Sequence, residues 1–187
     1  MEEQALKQYK AKKMMLWVGM ISMAMTFAGL TSAYVVSSSR ADWLSQFKIP
    51  GSFTISTLLI LISSFSFYLA KKSLLSKNIK TTKILVLTTL ILAMLFVYFQ
   101  FKGFADIIAQ GYYFTGAESS ITTSFLYVLV LLHLAHLFAG IIVLLVVYFM
   151  LVRGSYSGSN TLGFELAHLF WHFLDILWIY LYLFVLL

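Results

Sequence analysis

Glu165, His168, His172 and Asp175 stand in a 25-residue run, Gly163 to Leu187 (GFELAHLFWHFLDILWIYLYLFVLL), that is otherwise apolar. Carboxyl and imidazole groups at such spacings are the types that bind metals, move protons or tie helices together through hydrogen bonds. At about 100° per residue the four fall within a stripe roughly 80° wide, so they share one helix face. His133 and His136 lie three apart in the preceding apolar run, with Gly140 one turn on along the same stripe. A glycine there lets a neighbouring backbone come close.

Three chemistries compete for these groups. Glu165-x-x-His168 has the spacing of carboxylate-bridged di-iron bundles, and His133-x-x-His136 extends the set. Such a site needs a second Glu-x-x-His and two further bridging carboxylates. The three preceding apolar runs contain no Asp, Glu or His, and the chain has only four His in all. A metal centre is therefore disfavoured, and the expected metal set is none. The preferred reading is mutual hydrogen bonding that fixes helix packing, because carboxylate–imidazole pairs satisfy both members without water. A proton relay through Asp175 and the histidines is the alternative, and spacing does not separate the two.

The elements that position these groups follow from composition. The chain has 187 residues, of which 61% are hydrophobic and 11% charged, and its mean hydropathy is +0.91. That composition excludes a soluble domain of this size. The absence of cysteine excludes disulfides and thiolate sites. Five apolar runs, about 14–36, 53–70, 84–101, 121–152 and 163–187, predict a single membrane domain (1–187), an all-α bundle of five transmembrane helices. A charge facing lipid costs at least about 2.5 kcal/mol at the bilayer centre, so the polar face of the last helix must point inward. The short link 153–162 predicts that the fourth and fifth spans form an antiparallel hairpin, which brings His136 and Asp175 to similar depth.

The net charge of +6 sits mostly at segment ends. One side holds ten cations: Lys7, Lys10, Lys12, Lys13, Lys71, Lys72, Lys77, Lys80, Lys83 and Arg153. The other holds three: Arg40, Lys48 and Lys102. Ten against three predicts a cytoplasmic N-terminus and an external C-terminus. No cleavable leader is expected, and no basic aromatic patch or phosphate loop points to nucleic acid or nucleotide. The serines of the second span (Ser56, Ser63, Ser64, Ser66) read as small-residue packing with hydroxyls bonded back to their own helix. Trp171, Trp178, Tyr180 and Tyr182 read as packing residues or interfacial anchors.

Gly163-Phe164-Glu165 and the stretch Trp171-His172-Phe173-Leu174-Asp175-Ile176-Leu177-Trp178 resemble the C-terminal signature of subunit III of the heme–copper (cytochrome c) oxidases. His133-Leu134-Ala135-His136 with Gly140, Pro50 with Thr57, Ser63 and Ser64, and Ile21-Ser22-Met23 with Phe27-Ala28-Gly29 are similar to further motifs of that family. The likeness is to the five-helix bacterial form. It departs at Met23, where the family usually has an intramembrane Glu, at Gln100-Phe101-Lys102-Gly103-Phe104, where an acid and a tyrosine are missing, and at Leu134.

The resemblance implies a non-catalytic subunit of a proton-pumping terminal oxidase of aerobic respiration, in a bacterial inner membrane. Its implied partners are subunit I as main contact, subunit II and a small subunit IV. It implies no cofactor on this chain, heme and copper in the partners, and a structural phospholipid. Cytochrome c is the favoured donor. The alternatives are a subunit III-like protein of a quinol oxidase or nitric oxide reductase, and a small membrane transporter.

Overall fold

The computed structural model describes residues 2–40, 43–44, 49–114, 116, 120–154, 156 and 161–186. Asp42, Lys48, Glu118 and Leu187 lie outside the described residues. Five α-helices account for most of the chain: α1 (Glu2–Ser37), α2 (Gly51–Leu75), α3 (Ile79–Ala109), α4 (Ile121–Val152) and α5 (Leu162–Leu186). All five are long and apolar enough to cross a membrane. In hydrocarbon each backbone N–H and C=O must bond within its own segment, so apolar runs of this length become helices. Even the shortest, α2 and α5 at 25 residues, rise roughly 38 Å at 1.5 Å per residue, against a core of about 30 Å.

The helices outrun the apolar spans at several ends. α1 begins at Glu2, α2 continues to Leu75, and α3 runs to Ala109 through Lys102 and Asp106. Hydropathy reports where the chain leaves lipid, whereas local capping decides where the helix stops. Pro50, with no N–H to satisfy, precedes α2. Asn78 accepts from the Thr81 N–H at the start of α3, and Ser120 from the Thr123 N–H at the start of α4. α3 stops at a left-handed glycine, Gly111 (φ 85°). There Gly111 N–H donates to Ile108 O, and Tyr112 N–H to Ile107 O. α2 ends in the same paired pattern, Lys77 N–H to Leu74 O and Asn78 N–H to Ser73 O, with Lys77 at φ 58° where a glycine is usual.

α5 is the hub. It packs against α1, α2 and α4, whereas α3 packs against α2 and α4. α2 and α5 run antiparallel, since Thr54 meets Tyr182, Thr57 meets Trp178, Ser63 meets Trp171 and Ser64 meets His172. α4 and α5 are antiparallel too. A Cβ on Gly140 would sit 2.7 Å from Leu174 Cδ1 and 3.2 Å from Trp171 Cζ3, so only glycine allows this approach. Gly103 plays the same part between α3 and α2, where a Cβ would lie 2.7 Å from the Phe53 ring. Among the described residues α1 packs on two helices, α4 and α5, and it is the least enclosed helix, with 17% of its apolar window buried against 39–44% for the others.

Candidate functional site: a polar seam along α5

The four polar residues of α5 share a face, and their partners change with depth. Glu165, half-buried at the N-terminal end, accepts from the Tyr9 hydroxyl of α1 at 2.8 Å and from Thr161 at 3.2 Å. One turn on, His168 Nε2 lies 3.0 Å from His172 Nε2, so these two nitrogens share one proton. His172 Nδ1 lies 2.6 Å from Ser64 Oγ on α2. The same nitrogen is 3.9 Å from Asp175 Oδ2. Asp175 is 1% exposed, and neither carboxyl oxygen has a hydrogen-bond partner. An ionised carboxyl so placed is strongly disfavoured unless an imidazolium stands against it.

The α4 histidines do not join this chain. His136 Nδ1 pairs with its own helix, at 2.8 Å from Leu132 O. His133 is fully buried with both ring nitrogens unpartnered, its ring packed on Phe27, Phe96 and Trp178. No hydrogen bond links either to Asp175, although the hairpin brings α4 and α5 together. Among the described residues, no group of three or more His, Cys, Asp or Glu is arranged to hold a metal ion.

The partners on α2 differ from the sequence reading. Ser56 does bond back to Phe53 O, at 2.8 Å. Ser63, Ser64 and Ser66 instead bond across helices, to Trp171, to His172 and to Leu85 O of α3. Trp171 and Trp178 are buried donors: the first gives its indole N–H to Ser63 Oγ at 3.2 Å, the second to Thr57 Oγ1 at 3.0 Å. Tyr180 and Tyr182 pair with Thr31 and Thr54. The signal for this row lay in the spacing. Trp171 and Trp178 are seven apart, two helical turns, and their acceptors Ser63 and Thr57 are six apart, about two turns, on α2.

The remaining residues singled out from sequence have packing positions. Gly163 makes room for Tyr156, whose hydroxyl would be 3.0 Å from a Cβ there. Phe164 is fully buried between Phe67 and Tyr156. Phe173 is half-buried and bridges the main core and a smaller cluster formed by Phe27, Leu129, Leu177 and Leu181.

Chemically the seam is a row of titratable groups, hydrogen-bonded from His168 through His172 to Ser64 with Asp175 alongside, that opens at one end. A cavity of about 100 Å³, lined by Tyr9, Lys13, Lys71, Glu165 and His168 among others, sits at that mouth.

The family profile described as Cytochrome c oxidase subunit III matches residues 9–187. The chain is 29% identical over 173 residues to a cytochrome bo(3) ubiquinol oxidase subunit 3 of Buchnera aphidicola, covering 91% of this chain and 83% of that one. It is 28% identical over 157 residues to a cytochrome c oxidase subunit 3 of Alkalihalophilus pseudofirmus (84% and 73%). It is 33% identical over 135 residues to a probable cytochrome c oxidase subunit 3 of Rickettsia felis (70% and 46%). The chain thus spans most of the first two relatives and about half the length of the third.

Proposed function

Because the chain belongs to the cytochrome c oxidase subunit III family, we propose that it is the non-catalytic subunit III of a proton-pumping terminal oxidase that reduces O2 to water in aerobic respiration. In this reading it braces subunit I, with subunit II and a small fourth subunit nearby. Heme and copper reside in those partners, and lipid occupies the outer grooves. The complex lies in a bacterial inner membrane, with the N-terminus of this chain in the cytoplasm.

The observation that carries the reading is the reach of the family match across all five helices, together with what its signature residues do. Gly140, Phe164, Trp171, Phe173 and Trp178 pack α5 and α4 against neighbouring helices, and Gly163 makes room for Tyr156 of the preceding turn. A chain whose most recognisable residues hold its own helices together fits a bracing subunit better than a catalytic one. The low enclosure of α1 supports it too, since that helix offers its apolar surface to a partner subunit or to lipid.

Cytochrome c is the proposed donor. Quinol is the second reading, favoured by the ubiquinol-oxidase relative that aligns over 91% of this chain. The test is purification in mild detergent through a tag on this subunit, with optical spectroscopy and mass spectrometry of the eluate. Heme together with a large multi-helix subunit is the expected result. Oxidation of reduced cytochrome c, or of quinol, by that preparation identifies the donor. A heme-free single chain would overturn the reading.

A further inference from the structure

The file of groups from the α5 cavity to Asp175 has two ends of different character. At the mouth, the cavity of about 100 Å³ is large enough for several waters, since one water needs roughly 10–15 Å³ on this measure. His168 lines it, half-buried. From His168 the hydrogen-bonded path continues at 3.0 Å to His172 and at 2.6 Å to Ser64, and Asp175 Oδ2 waits 3.9 Å from His172 Nδ1. Bringing that oxygen to hydrogen-bond distance takes a carboxyl displacement of about 1 Å. Beyond Asp175 no hydrogen bond carries the path on among the described residues. The next polar atom on α5, the Trp178 indole N–H, is committed to Thr57 and cannot accept a proton. Leu174, Leu177 and Leu181 close the rest of the buried face.

We propose that Asp175 is a proton-storing group, loaded from the N-terminal side of the membrane through His168 and His172, and that this branch ends there. In the loading step a water in the cavity gives a proton to the outer nitrogen of the His168 ring. His168 passes its Nε2 proton to His172 Nε2, and His172 gives its Nδ1 proton to Asp175 Oδ2, directly or over the Ser64 hydroxyl. Each imidazole ring gives one proton for the one it receives and is left in its other tautomer, which the reverse step restores. The net change is one proton moved from the cavity to the carboxyl, and unloading is the reverse.

Each helix packed on α5 contributes to the setting. α1 brings Tyr9 and Lys13, and α2 brings Lys71, all at the cavity. α4 brings His133 and His136, neither bonded to the file. Lys13 and Lys71 thus place two cations at the cavity, and Glu165, on α5 itself, one carboxyl.

The proposal does not need the oxidase reading, and its test reads a different signal. Infrared spectra of the complex purified through this chain are recorded in lipid nanodiscs, and exchange into D2O is followed over time. A protonated-carboxyl band lost in Asp175→Asn and displaced in Asp175→Glu is expected. His168→Phe should keep that band and slow its deuterium shift at least tenfold, and Ser64→Ala reads the same path if the histidine variant fails to assemble. A spectrum unchanged in both Asp175 variants, or a deuterium shift equally fast in wild type, His168→Phe and Ser64→Ala, would overturn the proposal. Absence of heme from the same preparation would count against the oxidase reading alone.

Discussion

Replacing Gly140 by alanine tests the α4–α5 contact with one methyl group. The added Cβ would stand 2.7 Å from Leu174 Cδ1 and 3.2 and 3.3 Å from Trp171 Cζ3 and Cε3, where carbon atoms prefer about 3.5–4.0 Å. Both neighbours are buried, which limits how far either can yield. Leu174 is 0% and Trp171 1% exposed, and the indole is tethered to Ser63 at 3.2 Å. Overpacking of this kind costs about 1–3 kcal/mol, and the helix-propensity gain of alanine over glycine returns about 0.8–1.0 kcal/mol. Gly29→Ala on α1 is the control, because a Cβ there meets nothing within 4 Å and only the propensity gain of about 0.8–1.0 kcal/mol applies. The variants should therefore differ by about 1–3 kcal/mol, with Gly140→Ala the less stable. Unfolding of the purified chain by SDS in mixed micelles, followed by tryptophan fluorescence, measures the gap. Equal midpoints would refute the claim that glycine at 140 is required by packing.

Lys77→Gly should raise stability by about 1 kcal/mol in the same assay, because Lys77 holds a left-handed conformation that glycine adopts freely; no change would mean that the turn relaxes around lysine. Thr57→Val should cost about 1–3 kcal/mol by leaving the buried Trp178 N–H without its acceptor, while Thr57→Ser, which keeps the hydroxyl, should lose clearly less. Met23→Glu places a carboxyl at a half-buried position of the least enclosed helix, and the chain should still insert and assemble. Membrane yield of the tagged variant is the readout, and failure to insert would show that this face of α1 admits no acid.

The number and type of the helices were legible because a bilayer leaves an apolar chain few alternatives. The clustering of Glu165, His168, His172 and Asp175 on one face was legible too, since helical periodicity alone puts them there. The helix ends were not, because Lys102 and Asp106 read as loop by polarity although backbone bonding continues to the stop at Gly111. The partners of the seam were misplaced for a different reason. Imidazoles on α4 looked like natural mates for Asp175, and uncharged hydroxyls on α2 carried no comparable signal. Depth along an antiparallel hairpin says which residues are level but not which way each ring turns, and His133 turns toward Phe27, Phe96 and Trp178. It was Ser64, seven residues from Thr57, that came to His172.

The division of α5 into a polar half and a sealed half also bears on the transporter alternative. A conducting path needs acceptors and donors that hand over from one face of the membrane to the other. From the cavity toward Asp175 the described residues supply a bonded run, His168–His172 at 3.0 Å and His172–Ser64 at 2.6 Å, with Asp175 3.9 Å from His172. Past Asp175 the hydroxyls of Tyr180 and Tyr182 are each paired with a threonine of another helix, Thr31 and Thr54. Those bonds tie α5 to α1 and α2 rather than to the seam. Opening a route there would break both and displace the buried Trp178 indole from Thr57, which alone costs about 1–3 kcal/mol. The same contacts that brace the bundle close the C-terminal half of α5, so bracing and conduction make opposite demands on that helix, and these residues meet the first.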